Sequence, residues 1–150
     1  MSNSLYSIAT ETTTRLNKFR ISSGRAKGLE ALIYEIDTKK ETSSSYEIKL
    51  QECDTANDKG VITDKDDLIE ELPDNSPRFV VLTYPFKTSD GLLKSPLVLI
   101  YWRPSTSSME KRMLYAGAVE LMRDKAAVSK VIEIDDEEEL EELEELVKKA

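Results

Sequence analysis

Two runs of this chain, Arg78 to Phe86 and Leu97 to Trp102, are apolar at nearly every position rather than at alternate ones. A strand with one buried face alternates, whereas a strand apolar on both faces has to be covered twice. The two runs therefore call for a central sheet with helices packed on each side. Asp90-Gly91 marks a turn between them, although the connection is longer than a two-residue hairpin.

The remaining elements follow from spacing. Asn3 or Ser4 can cap a first helix carrying Leu5, Ile8, Leu16 and Phe19, which ends near Arg20 ahead of Ser22-Ser23-Gly24. Leu29 to Ile36 and Tyr46 to Leu50 read as strands joined through the polar stretch from Thr38 to Ser45. Thr55 to Gly60 is loop, and Asp64 to Leu72 is a short acidic helix stopped by Pro73. Ser107-x-x-Glu110 has the pattern of a capping box, opening a long helix that runs to about Ala127. Lys130 to Ile134 is a fifth strand, which a strand–helix–strand crossover makes parallel to the fourth. Asp135 and Asp136 cap a last helix with a stripe of Leu140, Leu143, Leu146 and Val147. The class is α+β: a central five-stranded mixed β-sheet flanked by helices on both faces, one domain over residues 1–150.

The long helix carries the most information. Leu114, Ala118 and Leu121, flanked by Tyr115 and Met122, form its core side. The opposite side collects Met109, Arg112, Met113, Ala116, Glu120 and Arg123. Methionine adapts its shape to a partner, and arginine is enriched at interfaces. Such a face is either a contact surface or a second core side covered by another helix, and spacing leaves both readings open.

Composition excludes several classes. With no histidine in 150 residues, the chain lacks the usual acid–base group at neutral pH and the commonest metal ligand. One cysteine, Cys53, and no histidine rule out ordinary structural zinc sites, and a lone thiol suits a reducing compartment. There is no GxxxxGK[ST] or GxGxxG loop to cradle phosphate. The carboxylates sit in solvent-facing runs, so the chain reads as a binding protein, not an enzyme, with no cofactor or metal. A net charge of −8 argues against nucleic acid as a partner. No apolar run approaches the length of a membrane span, and Met1 to Thr14 lacks the pattern of a secretory signal. The charge is uneven. Arg15, Lys18, Arg20, Arg25 and Lys27 face a single acid, Glu11, before Gly28, while Asp135 to Glu145 is almost continuously acidic.

Ordered stretches then narrow the field. Leu72-Pro-Asp-Asn-Ser-Pro-Arg-Phe-Val-Val81, Asp90-Gly91, Ser95-Pro-Leu97, Met113-Leu-Tyr-Ala-Gly117 and Ser129-Lys-Val-Ile-Glu-Ile134 resemble the glia maturation factor pattern in order and spacing. Lys18-Phe19-Arg20 fits it as well, and the resemblance covers essentially the whole chain. It implies the cofilin-homology, gelsolin-like fold, and the insert from Cys53 to Lys65 looks most like that of fungal members. It also implies a monomer that binds the actin-related protein 2/3 complex, blocks branched nucleation and promotes debranching. The expected place is the cytoplasm at cortical actin structures, with the nucleus open as a second compartment.

The family resemblance further implies two surfaces. The first maps to Ser2, Ser4, Leu5, Tyr6, Met109, Lys111, Arg112, Met113 and Ala116. The second maps to Lys87, Asp90, Lys94 and outward residues of the last helix such as Glu138, facing the first actin subunit of a daughter filament. The chain departs from true cofilins after Tyr115-Ala-Gly-Ala118. A cofilin-like helix would continue with several lysines, whereas this one continues Val119-Glu-Leu-Met-Arg-Asp-Lys125. The rival readings are a cofilin-like binder of actin monomers and filaments and, from the acidic run, a chaperone for basic partners.

Overall fold

The computed structural model describes residues 5–38, 45–128 and 130–149. In chain order the elements are β1 (Tyr6–Ile8), α1 (Thr10–Ser23), β2 (Glu30–Asp37), β3 (Tyr46–Leu50), α2 (Lys65–Glu71), β4 (Arg78–Thr83), β5 (Phe86–Lys87) and β6 (Leu93–Lys94). There follow β7 (Leu97–Trp102), α3 (Met109–Ala116), α4 (Val119–Ala126), β8 (Val131–Ile134), α5 (Glu137–Glu141) and α6 (Leu143–Lys149). The main sheet has the order β1-β3-β2-β4-β7-β8, and β5 and β6 form a separate two-stranded ribbon. Among the described residues β1 on β3 and β8 on β7 pair in parallel, and the other strand pairs are antiparallel.

The doubly apolar strands do what their pattern requires. Leu32, Tyr34, Ile36, Phe79, Val81, Leu99 and Tyr101 point to one face and pack with Leu16, Phe19, Tyr115 and Met122. Ala31, Ile33, Val80, Leu82, Val98, Ile100 and Trp102 point to the other and pack with Leu68, Leu140, Leu143 and Val147. Hence α1, α3 and α4 cover one side of the sheet, and α2, α5 and α6 the other. Trp102 is a core residue at a strand end, donating its indole Nε1–H to the Pro73 carbonyl at 2.7 Å.

Several boundaries differ from the sequence expectation. The sheet has six strands, because residues 6–8 are extended rather than the start of a helix. Tyr6 and Ile8 pack on the core side of β3 and cover its edge, so their two-residue spacing prevails over the helical one. The first helix accordingly begins at Thr10 behind Ala9, without a side-chain cap. It runs on to Ser23 because the Ser22 and Ser23 hydroxyls donate back to the Phe19 and Arg20 carbonyls instead of breaking the turn. Asn3 and Ser4, the expected caps, lie outside the described residues, as does most of the stretch from Thr38 to Ser45. The run from Arg78 stops at Thr83, since Pro85 has no amide to donate to a ladder. The long helix is two helices, α3 and α4, separated at Gly117 and Ala118. The last helix is likewise divided at Glu142.

Candidate functional site

The α3 helix is capped by Ser108, not Ser107. The Ser108 Oγ accepts the Lys111 amide at 3.2 Å, while the buried Ser107 hydroxyl donates to the Pro104 carbonyl at 2.8 Å. Its core residue is Tyr115, with Leu114 half-buried, so the inward side is turned slightly from the one spacing indicated. Met109, Arg112, Met113 and Ala116 form an exposed stripe at intervals of three and four. Met109 and Met113 are 69% and 68% exposed. Among the described residues no helix covers them, which removes the second-core reading. Lys111 is half-buried and Arg112 exposed, and neither forms an ion pair among the described residues.

Leu5 and Tyr6 join this stripe through one hydrogen bond. The Gly117 amide returns to the Met113 carbonyl at 3.1 Å and the Ala118 amide to the Tyr115 carbonyl at 3.0 Å. That leaves the Leu114 carbonyl without the amide that would serve it in an uninterrupted helix. The Tyr6 hydroxyl donates to it at 2.6 Å, and burial pushes the Tyr6 phenol above its ordinary range. Leu5, 49% exposed, stands beside this joint, with its carbonyl taken by the Tyr46 amide at 2.9 Å. Ser2 and Ser4 lie outside the described residues.

Beneath the stripe, the buried Tyr115 hydroxyl is tied to the sheet. It accepts the Ile36 amide at 2.9 Å and a guanidinium N–H of Arg78 at 3.3 Å. Arg78 also donates to the Gln51 side chain at 2.6 Å, to the Ser76 hydroxyl at 2.8 Å and to the Pro77 carbonyl at 2.7 Å, and lies 3.5 Å from the Glu35 carboxylate. Arg78 thus holds β2, the chain before β4 and α3 together. Sequence reasoning placed Arg78 only as a strand residue. Its partners come from four separate stretches of chain, and no local pattern signals that meeting.

The second predicted surface is assembled only in part. Lys87 and Lys94 lie on the β5–β6 ribbon, with Phe86 opposite Lys94 and Lys87 opposite Leu93. Asp90 sits in the connecting turn, where its carboxylate accepts from the Thr88 hydroxyl at 2.5 Å. That bond lowers the Asp90 carboxyl below its ordinary range. Gly91 adopts φ 86°, a left-handed conformation that favours glycine. The turn presents Leu92 and Leu93, 58% and 62% exposed, which the sequence reading passed over although they directly follow Asp90-Gly91. The ribbon touches the last helices through Lys148, whose Nζ is 5.9 Å from the Phe86 ring centre. Glu138 is exposed in the first turn of α5, ten residues before Lys148. The contact to the ribbon is therefore at the far end of those helices from Glu138.

Among the described residues no group of three His, Cys, Asp or Glu side chains could hold a metal ion, and no helix is long and apolar enough to cross a membrane. The site offers an exposed apolar and basic contact face on a braced helix. The family profile for cofilin/tropomyosin-type actin-binding proteins matches residues 5–150. Protein AIM7 of Saccharomyces cerevisiae is 45% identical over 150 residues, covering 97% of each chain. The glia maturation factor of Drosophila melanogaster is 31% identical over 140 residues, 93% of this chain and 92% of that one. The chain belongs to the cofilin-homology family, on its glia maturation factor branch.

Solved structures agree. The glia maturation factor of Caenorhabditis elegans superposes with a TM-score of 0.66 at 33% identity, covering 94% of this chain and 98% of that one. Actin depolymerization factor 2 of Plasmodium berghei gives 0.72 over the whole of both chains at 20% identity, a likeness of fold alone. An actin-regulatory role comes with the family. The α4 helix of this chain carries little free positive charge. Arg123 is drawn to Glu120 at 3.3 Å, which leaves Lys125 as the unpaired cation of that helix among the described residues.

Proposed function

We propose that this protein is a single-domain regulator, spanning residues 1–150, that binds the actin-related protein 2/3 complex, inhibits branched actin nucleation and promotes debranching. The observation that carries this reading is the exposed Met109–Met113 stripe with Lys111 and Arg112, which form no ion pair among the described residues, continued by Leu5 and Tyr6. Two methionines left in water, flanked by cations, form an adaptable apolar contact with a polar rim. The paired, acid-containing α4 disfavours the cofilin-like alternative of tight actin binding. Lys87, Asp90 and Lys94, with Leu92 and Leu93 beside them, form a second contact for the first actin subunit of a daughter filament.

The test is co-sedimentation with purified actin-related protein 2/3 complex and, separately, with actin filaments. Clearly tighter binding to the complex supports the reading. Comparable affinities, or a preference for actin, would establish the cofilin-like function instead.

A further inference from the structure

We infer that Tyr6, seated on Gly117, is the positioning residue that makes the N-terminal strand and α3 one partner-binding surface. The inference rests on the proposed role of that surface. Its physical basis is a fit of two parts. The helix break leaves the Leu114 carbonyl vacant, and the Tyr6 hydroxyl fills it at 2.6 Å. To reach it, the phenol crosses directly over Gly117, where an added Cβ would collide with the hydroxyl oxygen. The same Cβ would stand 3.5 Å from the ring carbon Cζ, an ordinary contact.

Gly117 has φ −69° and ψ −15°, an ordinary right-handed conformation, so glycine is not needed there for its backbone. It is needed for space. β1 is three residues long and lies at the edge of the sheet, paired only with β3. A strand so short, paired on one side alone, has few ties of its own. The Tyr6 bond spans 108 positions in sequence and ties the residue next to Leu5 to the α3 backbone at Leu114, between Met113 and Ala116 in the chain. Without it the N-terminal part of the surface separates from the helical part.

Three variants test this: Tyr6→Phe, Gly117→Ala, and the two together. Alanine is the better helix former, so Gly117→Ala leaves α3 and α4 intact and acts on Tyr6 alone. The expected affinity for purified actin-related protein 2/3 complex falls by on the order of tenfold in Gly117→Ala and by a few-fold in Tyr6→Phe. The double variant returns to the Tyr6→Phe level, because phenylalanine lacks the oxygen that collides. Amide exchange at residues 6–8 follows the same order, fastest in Gly117→Ala and slowed again in the double variant. A purely structural role for glycine predicts no such rescue.

A folded Gly117→Ala protein that binds as wild type, or a double variant as weak as Gly117→Ala, would overturn the inference. Lys111→Ala with Arg112→Ala, run in the same assay, separates it from the proposal beneath it. If that variant loses binding while the Gly117 variants keep it, the inference alone fails. If the wild-type protein does not bind the complex, both fail, and amide exchange then reports only whether the two parts are keyed.

Discussion

The hydroxyl of Tyr115 accepts the backbone amide of Ile36 at 2.9 Å, at a point where β2 has run past the start of β4. The neighbouring chain there contains Pro77, which has no amide and cannot continue the ladder. An α3 side chain therefore completes the sheet, and the sheet in turn fixes the helix that carries Met109 and Met113. Tyr34 gives the opposite case on the same face, since its hydroxyl is buried with no protein hydrogen-bond partner among the described residues.

These two tyrosines should respond oppositely to loss of the hydroxyl. Tyr115→Phe orphans the Ile36 amide and removes one partner of Arg78, which should cost about 1–3 kcal/mol of stability. Tyr34→Phe removes an unsatisfied group while keeping the packed ring, and should be neutral or stabilising. Chemical denaturation of both variants checks this. A Tyr34→Phe protein destabilised as much as Tyr115→Phe would contradict the assignment.

Lys111→Ala with Arg112→Ala should abolish complex binding and debranching while leaving the fold intact. Neither residue forms an ion pair among the described residues, so stability should change by under ~0.5 kcal/mol. Loss of a central arginine contact would cost on the order of 2 kcal/mol in binding, a tens-fold drop. Titration of the complex, beside a melting curve, distinguishes an interface effect from unfolding.

The ribbon should separate binding from debranching. Lys87→Ala with Asp90→Ala and Lys94→Ala should spare affinity for the isolated complex yet slow debranching seen by filament imaging. Leu92→Ser with Leu93→Ser should have the larger effect, since exposed apolar anchors contribute more to contacts than rim charges. Debranching at the wild-type rate in both variants would remove this surface from the function.

Cys53 should be a slow thiol. Burial pushes it up to about 11, with the Glu71 carboxylate acting in the same direction, so at pH 8 it holds about a hundredfold less thiolate than a free cysteine. Alkylation at pH 8 should be slow in the native protein and fast after denaturation. Because the folded protein retains the proton, this group's contribution to stability is full below the free thiol's range and is lost as pH rises toward 11. Equal alkylation rates in native and denatured protein would show that the thiol is open to solvent.

What the sequence determined by itself is whatever depends on near neighbours. Runs apolar on both faces required a sheet covered twice, and spacing of three and four put Met109, Arg112, Met113 and Ala116 on one stripe. Asp136, one of the two expected caps, does cap the helix it precedes. Where two local codes competed, the sequence was silent. Leu5 and Ile8 fit a helix and Tyr6 and Ile8 fit a strand, and the uncovered edge of β3 decided between them. Only the tertiary structure settled that the methionines are open, because that depends on which helix packs where. The same holds for Arg78, whose partners are distant in sequence, and for Gly117, which makes room for a tyrosine more than a hundred residues away. Local periodicity fixes which way a side chain faces, but what it meets there depends on chain segments that only the fold brings together.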